Sequence, residues 1–210
     1  MGEEAVLDQR ANGMTDEWVS KRREILDAAA DVFFRRGFSK GTTKEIAALV
    51  GMSQPSIYHY VGSKEDLMVE ISRQVSRDFT VRIDRALEAG GEPVEKLSRA
   101  IESFVEALVL NQRTFAVYWK EYRSLPADVG REVRADEVAY VGRFEELVGE
   151  VQRQGYLPAD SPTRVVSEGI LGMLSWMHWW YRPDEFSQDM VSATFLAMLG
   201  LPPARGGESD

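Results

Sequence analysis

The residues best suited to chemistry in this 210-residue chain fall within seven positions, Gln54-Pro55-Ser56-Ile57-Tyr58-His59-Tyr60. Gln54, Ser56, Tyr58, His59 and Tyr60 all carry hydrogen-bonding groups, and Ile57 among them is apolar. Such a set suits recognition of base edges and phosphates better than the making or breaking of bonds. A B-form major groove admits one helix, whose first turn reaches the bases while the preceding helix braces on the backbone. The residue types that catalysis or metal binding would need are scarce. The chain has no Cys and only two His, His59 and His178, and it lacks any Glu-x-x-His or His-Glu-x-x-His arrangement. Thiolate zinc sites, Fe–S centres, disulfide scaffolds and a Cys nucleophile are thereby excluded. Glu145 and Glu146 read as a polar helix face. No catalytic residue, metal or resident cofactor is expected, and the chain is not read as an enzyme.

Presenting those seven residues requires short, well-punctuated helices, and almost the whole chain reads as helix. Ile25, Ala28, Ala29, Val32 and Phe33 fall at helical spacing before Gly37. Thr42 and Thr43 are placed to cap a short second helix with Ile46, Ala47 and Val50 inward, and Gly51 ends it. Ser53 caps a third helix, with Pro55 in its first turn where a missing N–H costs nothing. Two short helices joined by Val50–Gly51–Met52–Ser53 have the length of a helix-turn-helix. Ser63 ahead of Lys64–Glu65–Asp66 opens a fourth helix, in which Leu67, Ile71, Val75, Phe79, Ile83 and Leu87 recur every four residues up to Gly90–Gly91. At 1.5 Å per residue this rod is roughly 33 Å long. Further helices are expected over 94–110, 113–123, 128–154, 162–180 and 185–199, with no β-rich run. The fold class is all-α.

Charge divides the chain in the same places. The total of 25 Lys and Arg against 34 Asp and Glu is −9, yet residues 1–18 carry −4, residues 19–68 carry +2 and residues 69–210 carry −7. A uniformly basic polyanion binder is excluded, and a small basic module inside an acidic chain is not. The expected organisation is a flexible acidic arm over 1–18, a helix-turn-helix domain over 19–66, an effector-binding and dimerisation domain over 67–200 and a disordered tail over 201–210. The first 18 residues have no apolar run behind a basic patch, and no window holds 18 consecutive apolar residues. The cytoplasm is the expected compartment, with no membrane partner.

The run ILDAAADVFFRRGFSKGTTKEIAALVGMSQPSIYHYVGSKEDL, from Ile25 to Leu67, resembles the amino-terminal domain of the tetracycline-repressor (TetR) family of bacterial regulators. The resemblance implies an N-terminal three-helix domain that binds double-stranded DNA and a helical C-terminal domain for ligand and dimer. It implies that Thr43 donates to a phosphate and that Lys44 occupies a base-reading position. Gln54 and Pro55 would face the major groove, with Gln reading adenine and Pro packing on a thymine methyl. Tyr58 falls on a base- or backbone-contacting position, although it also suits the junction between the first and third helices. Ser56, Tyr60 and Lys64 fall on phosphate-contacting positions, and His59 is either a DNA partner or exposed filler. Arg22, Arg23, Arg35 and Arg36 read mainly as a solvated face.

One such module contacts few phosphates, so two copies on a palindromic operator are expected, and in this family the last two helices pair into a four-helix bundle. Gly169, Gly172, Met173, Trp176 and Phe195 are the candidate dimer residues. Phe115, Tyr118, Trp119, Tyr122, Phe144, Trp176 and Trp180 suggest a pocket for a small hydrophobic or amphipathic effector, with Arg123, Arg182 and His178 placed to meet an anionic part. The stretch GILGMLSWMHWWYRPD, from Gly169 to Asp184, is similar to the penultimate helix of family members that respond to acyl-coenzyme A thioesters. The functional expectation is a ligand-responsive transcriptional repressor. A DNA-independent helical interaction protein and an activator of the same fold remain the alternatives.

Overall fold

The computed structural model describes residues 16–121 and 125–204. In chain order its helices are α1 (Asp16–Arg36), α2 (Thr43–Leu49), α3 (Gln54–Val61), α4 (Lys64–Glu88), α5 (Pro93–Leu110), α6 (Gln112–Glu121), α7 (Ala127–Arg153), α8 (Thr163–Trp180) and α9 (Gln188–Met198). No strand occurs among the described residues. The chain divides into two compact units between Ile71 and Ser72, so the first eight residues of α4 belong with the first unit.

In the first unit α1, α2 and α3 pack mutually around Ile25, Ala29, Phe33, Ile46 and Ile57, all buried. The caps follow the sequence. Thr42 Oγ1 accepts from the Glu45 N–H at 3.2 Å while Glu45 Oε2 accepts from the Thr42 N–H at 3.0 Å, a reciprocal pair that satisfies donors at the α2 start. Donation from the Thr42 hydroxyl and amide holds the Glu45 carboxyl below its usual value. Thr42 alone is therefore the cap, and Thr43 is the first residue inside the helix. Gly51, with φ +66°, turns the chain, and the Met52 N–H reaches back to the Ala47 carbonyl at 2.9 Å. Ser53 then caps α3 by accepting from the Ser56 N–H at 3.3 Å. Asp66 and Ser63 bond reciprocally at the α4 start, at 2.9 and 3.0 Å.

In the second unit α5 is the central helix, packed against α6, α7, α8 and α9. Leu97, Ile101, Val105, Leu108, Phe144, Val148, Leu174 and Met177 form the buried interior. Gln112 closes the end of α8 by donating its amide to the carbonyls of His178 at 3.1 Å and Tyr181 at 3.0 Å. Gln152, itself buried, does the same for the loop after α7, donating to Pro158 and Ser161.

Two expected boundaries need correction. Residues 1–15 of the expected arm and 205–210 of the expected tail lie outside the described residues, but Asp16–Trp18 already belong to α1. The acidity of that stretch concealed Trp18, whose indole stacks on Tyr60 with centroids 5.7 Å apart. At the other end, Leu201 is buried, Ser98 donates its hydroxyl to the Pro202 carbonyl at 2.7 Å and the Ala204 N–H bonds Glu102 at 3.1 Å, so 201–204 is docked chain.

Candidate functional site

The turn between α2 and α3 brings the nine expected DNA-facing residues into one module. Lys44, Gln54, Pro55, Tyr58 and His59 are exposed, and Ser56, Tyr60 and Lys64 are half-covered. No hydrogen bond or ion pair among the described residues holds the Lys44 ammonium. Ile57 and Val61 anchor the opposite face of α3 in the core. The Lys64 ammonium sits 4.6 Å from the Phe38 ring centroid and donates to the Ser39 carbonyl at 3.3 Å, which fixes the cation beside the α3–α4 junction.

Thr43 is placed differently from expectation. Its side chain is only 5% exposed, and its hydroxyl is occupied within the chain. Gln54 Nε2 donates to Thr43 Oγ1 at 2.8 Å, and Thr43 Oγ1 lies 3.1 Å from the Tyr58 hydroxyl. As the first residue inside α2, Thr43 turns towards α3 rather than towards solvent, which corrects the expectation of an outward phosphate donor. Hydrogen bonds from Thr43 and then Gln54 hold the Tyr58 phenol below its ordinary value. Tyr58 is 43% exposed, so it does not fill the helix junction.

In the second unit Phe115, Tyr118 and Trp119 meet around a narrow cavity with Phe79, Phe104 and Tyr140. Phe79 is the hub, with ring centroids 4.4 Å from Phe104, 5.4 Å from Phe115 and 6.2 Å from Tyr140. The free space is about 20 Å³, room for little more than one water. A larger ligand enters only if rings part. Ser76 also lines this space, its hydroxyl buried and without a hydrogen-bond partner among the described residues. Tyr122 and Arg123 lie outside the described residues. Phe144 does not line the cavity but is fully buried in the interior, on α7, which packs against α5 and α8. Trp176, Trp180 and Arg182 do not line it either, and His178 reaches it only through ring contacts to Phe115 at 5.6 Å and Trp119 at 6.2 Å. The Arg182 guanidinium instead donates to the Tyr181 carbonyl at 2.9 Å.

Against known proteins, the profile described as bacterial regulatory proteins, tetR family, matches residues 25–71. The profile described as tetracyclin repressor-like, C-terminal domain, matches residues 90–200, more than half the chain. The chain belongs to the TetR family. The HTH-type transcriptional repressor KstR2 of Rhodococcus jostii is 26% identical over 188 residues, covering 85% of this chain and 89% of that protein. The structure of the ketosteroid transcriptional regulator KstR2 of Mycobacterium tuberculosis superposes with a TM-score of 0.79 at 23% identity, covering 85% of this chain and 92% of that one. AibR, crystallised in complex with isovaleryl coenzyme A and operator DNA, gives a TM-score of 0.75 at 24% identity over 87% of this chain and 99% of that one.

This TetR-family chain also carries an uncovered apolar stripe on α8. Val165, Gly169, Gly172, Trp176 and Trp179 recur at alternating steps of four and three residues and are all exposed, Trp176 at 58% and Trp179 at 68%. Ile170, Leu174 and Met177 occupy the other side of the helix and are buried. A Cβ added at Gly169 or Gly172 would meet nothing within 4 Å among the described residues. Met173 is half-buried at the margin. Phe195, expected on the same face, is instead buried within its own chain with its ring edge-on to Trp180, centroids 6.3 Å apart.

Residues that pattern reading missed fall in both units. Arg22 lies over the Trp18 ring at 5.8 Å, donates to the Tyr60 carbonyl at 3.4 Å and pairs with Glu70 at 3.1 Å, so it ties α1 to the end of α3 and the start of α4. Its place in a run of basic residues hid that role. Phe79 was visible as one step of the four-residue stripe, whereas nothing in the sequence joined it to Phe104 and Tyr140.

Proposed function

We propose that this protein is a transcriptional repressor that binds a palindromic operator as a homodimer and lets go when an acyl-coenzyme A thioester occupies its second unit. The observation that carries the DNA reading is the exposed polar face of α3, capped by Ser53 and held outward by the Gly51 turn, with Gln54 and Tyr58 at its front. A chain of net charge −9 has little general attraction for DNA, and doubling the module across a palindrome compensates, with recognition helices about 34 Å apart. The α8 stripe suits pairing with a second copy, because small residues allow close approach and two exposed indoles supply apolar area.

The effector reading is supported by the ring-lined cavity and by likeness to AibR, whose complex holds both isovaleryl coenzyme A and operator DNA. Release requires no reaction. A ligand that binds better to a state with parted rings shifts the population towards that state, and DNA affinity changes to the extent that the two states differ in it.

The test begins with selection from random duplexes, for which an inverted repeat whose binding weakens steeply with salt is expected. The selected duplex is then titrated with acyl-coenzyme A thioesters of graded chain length. Release by one or more thioesters, with free coenzyme A and free acids inert, is the expected result. No change across the whole series overturns the effector reading, and failure to select any duplex overturns the DNA reading.

A further inference from the structure

We infer that Thr43 is a positioning residue for sequence reading: its buried hydroxyl fixes the hydrogen-bonding face that Gln54 and Tyr58 present to DNA. The inference rests on the DNA-binding reading above and concerns what that interface recognises.

The geometry assigns the Gln54 donors. Gln54 Nε2 carries two hydrogens, and one is given to Thr43 Oγ1 at 2.8 Å. The Tyr58 oxygen also draws on the Gln54 amide, so Nε2 is turned to the Thr43–Tyr58 side, and Oε1, with no partner among the described residues, is left as the acceptor of this exposed side chain. An acceptor there suits the N6 amino group of adenine and opposes the O6 acceptor of guanine. An exposed glutamine otherwise rotates freely and can offer its oxygen or its nitrogen in either order. The bond to Thr43 selects one order, so adenine is read without an ordering cost at the moment of binding.

The same hydroxyl orients the phenol. Having accepted from Gln54, Thr43 Oγ1 has its own proton to donate to the Tyr58 oxygen 3.1 Å away. Tyr58 is then left with its proton directed away from Thr43, as a donor for a phosphate oxygen. The lowered pKa of Tyr58 fits an oxygen that accepts from these neighbours. Because Thr43 is 5% exposed and sits beneath both side chains, it can act on DNA only through them.

Thr43→Val keeps the shape and removes the hydroxyl, and Thr43→Ser keeps the hydroxyl. Full-length wild type and variants are compared by random-duplex selection, then by affinity for the selected duplex, for that duplex with the A·T pair facing Gln54 replaced by G·C, and for unrelated DNA at several salt concentrations. Wild type should discriminate at that pair by about tenfold or more. Thr43→Val should bring discrimination below about threefold, with affinity for unrelated DNA and the salt slope unchanged, and Thr43→Ser should restore it. Gln54→Ala, an exposed substitution, should lose the same discrimination, and adding Thr43→Val to it should cause no further loss. Wild-type discrimination in Thr43→Val overturns the inference. So does an equal loss on all duplexes with a salt slope reduced by about one, which marks a direct phosphate contact. A wild type that selects no duplex instead removes the DNA-binding reading, and the inference with it.

Discussion

Trp176→Glu should yield a folded monomer of 23.7 kDa with operator affinity reduced at least a hundredfold. The size follows from two steps. First, Trp176 is 58% exposed and stacks on Trp179 with centroids 6.2 Å apart, so a carboxylate there does not disturb the interior of its own chain. In a paired stripe the same carboxylate would face apolar surface and its symmetry mate, where burial of unpaired like charges is prohibitive. Second, two modules on one palindrome bind with an effective concentration in the millimolar range for the second contact, and a monomer forfeits all of it. Sedimentation equilibrium gives the mass, helical circular dichroism confirms the fold, and binding to a full palindrome and a half-site separates avidity from contact. Affinity for the half-site should be unchanged. A variant that remains dimeric would show that the copies pair through another face.

The first unit was readable because its instructions are local. Thr42, Gly51, Ser53 and Ser63 each act on backbone within a turn of themselves, and apolar periodicity puts Ile46 and Ile57 inside without reference to distant chain. Thr43 shows where such reading ends. A threonine beside a cap has two local interpretations, cap or phosphate donor, and the outcome was decided by Gln54 and Tyr58, eleven and fifteen residues away. Trp18 and Arg22 were obscured for the same reason, since their partners Tyr60 and Glu70 lie on other helices. In the second unit, helices could be placed but their facing could not. A stretch as apolar as Gly169–Tyr181 offers two faces of similar hydrophobicity, so pattern alone assigned Trp176 to both pocket and dimer, and Phe195 to the dimer. Packing separated them: Leu174 and Met177 turned inward, Trp176 and Trp179 outward, and Phe195 went against Trp180. Aromatic content pointed to a ring cluster, but Phe144 and Phe79 are equivalent as composition and differ only in which helices surround them.

Phe79→Ala should destabilise the protein by about 3–5 kcal/mol, the usual range for deleting a buried phenyl group. Phe79 is 6% exposed and touches three rings of the cluster, from α5, α6 and α7. Free space at the cavity is about 20 Å³ with Phe79 present, so deletion of its ring would leave a void several times larger unless the neighbours collapse into it. A void of that size lined mainly by rings takes up small aromatic molecules where water gains too few partners. Benzene should therefore raise the denaturant midpoint of Phe79→Ala and leave that of the wild type unchanged. The midpoint is read by circular dichroism, and the variant is compared with Val81→Ala, an exposed site on the same helix. A loss under about 1 kcal/mol would mean that the rings are loosely held and that a ligand has no packing to displace. A full loss without benzene rescue would mean that the space left by the ring is not open to a ligand, and then parting the rings could not create a stable ligand site. Destabilisation with rescue is the combination required if these rings are both the core of the second unit and its door.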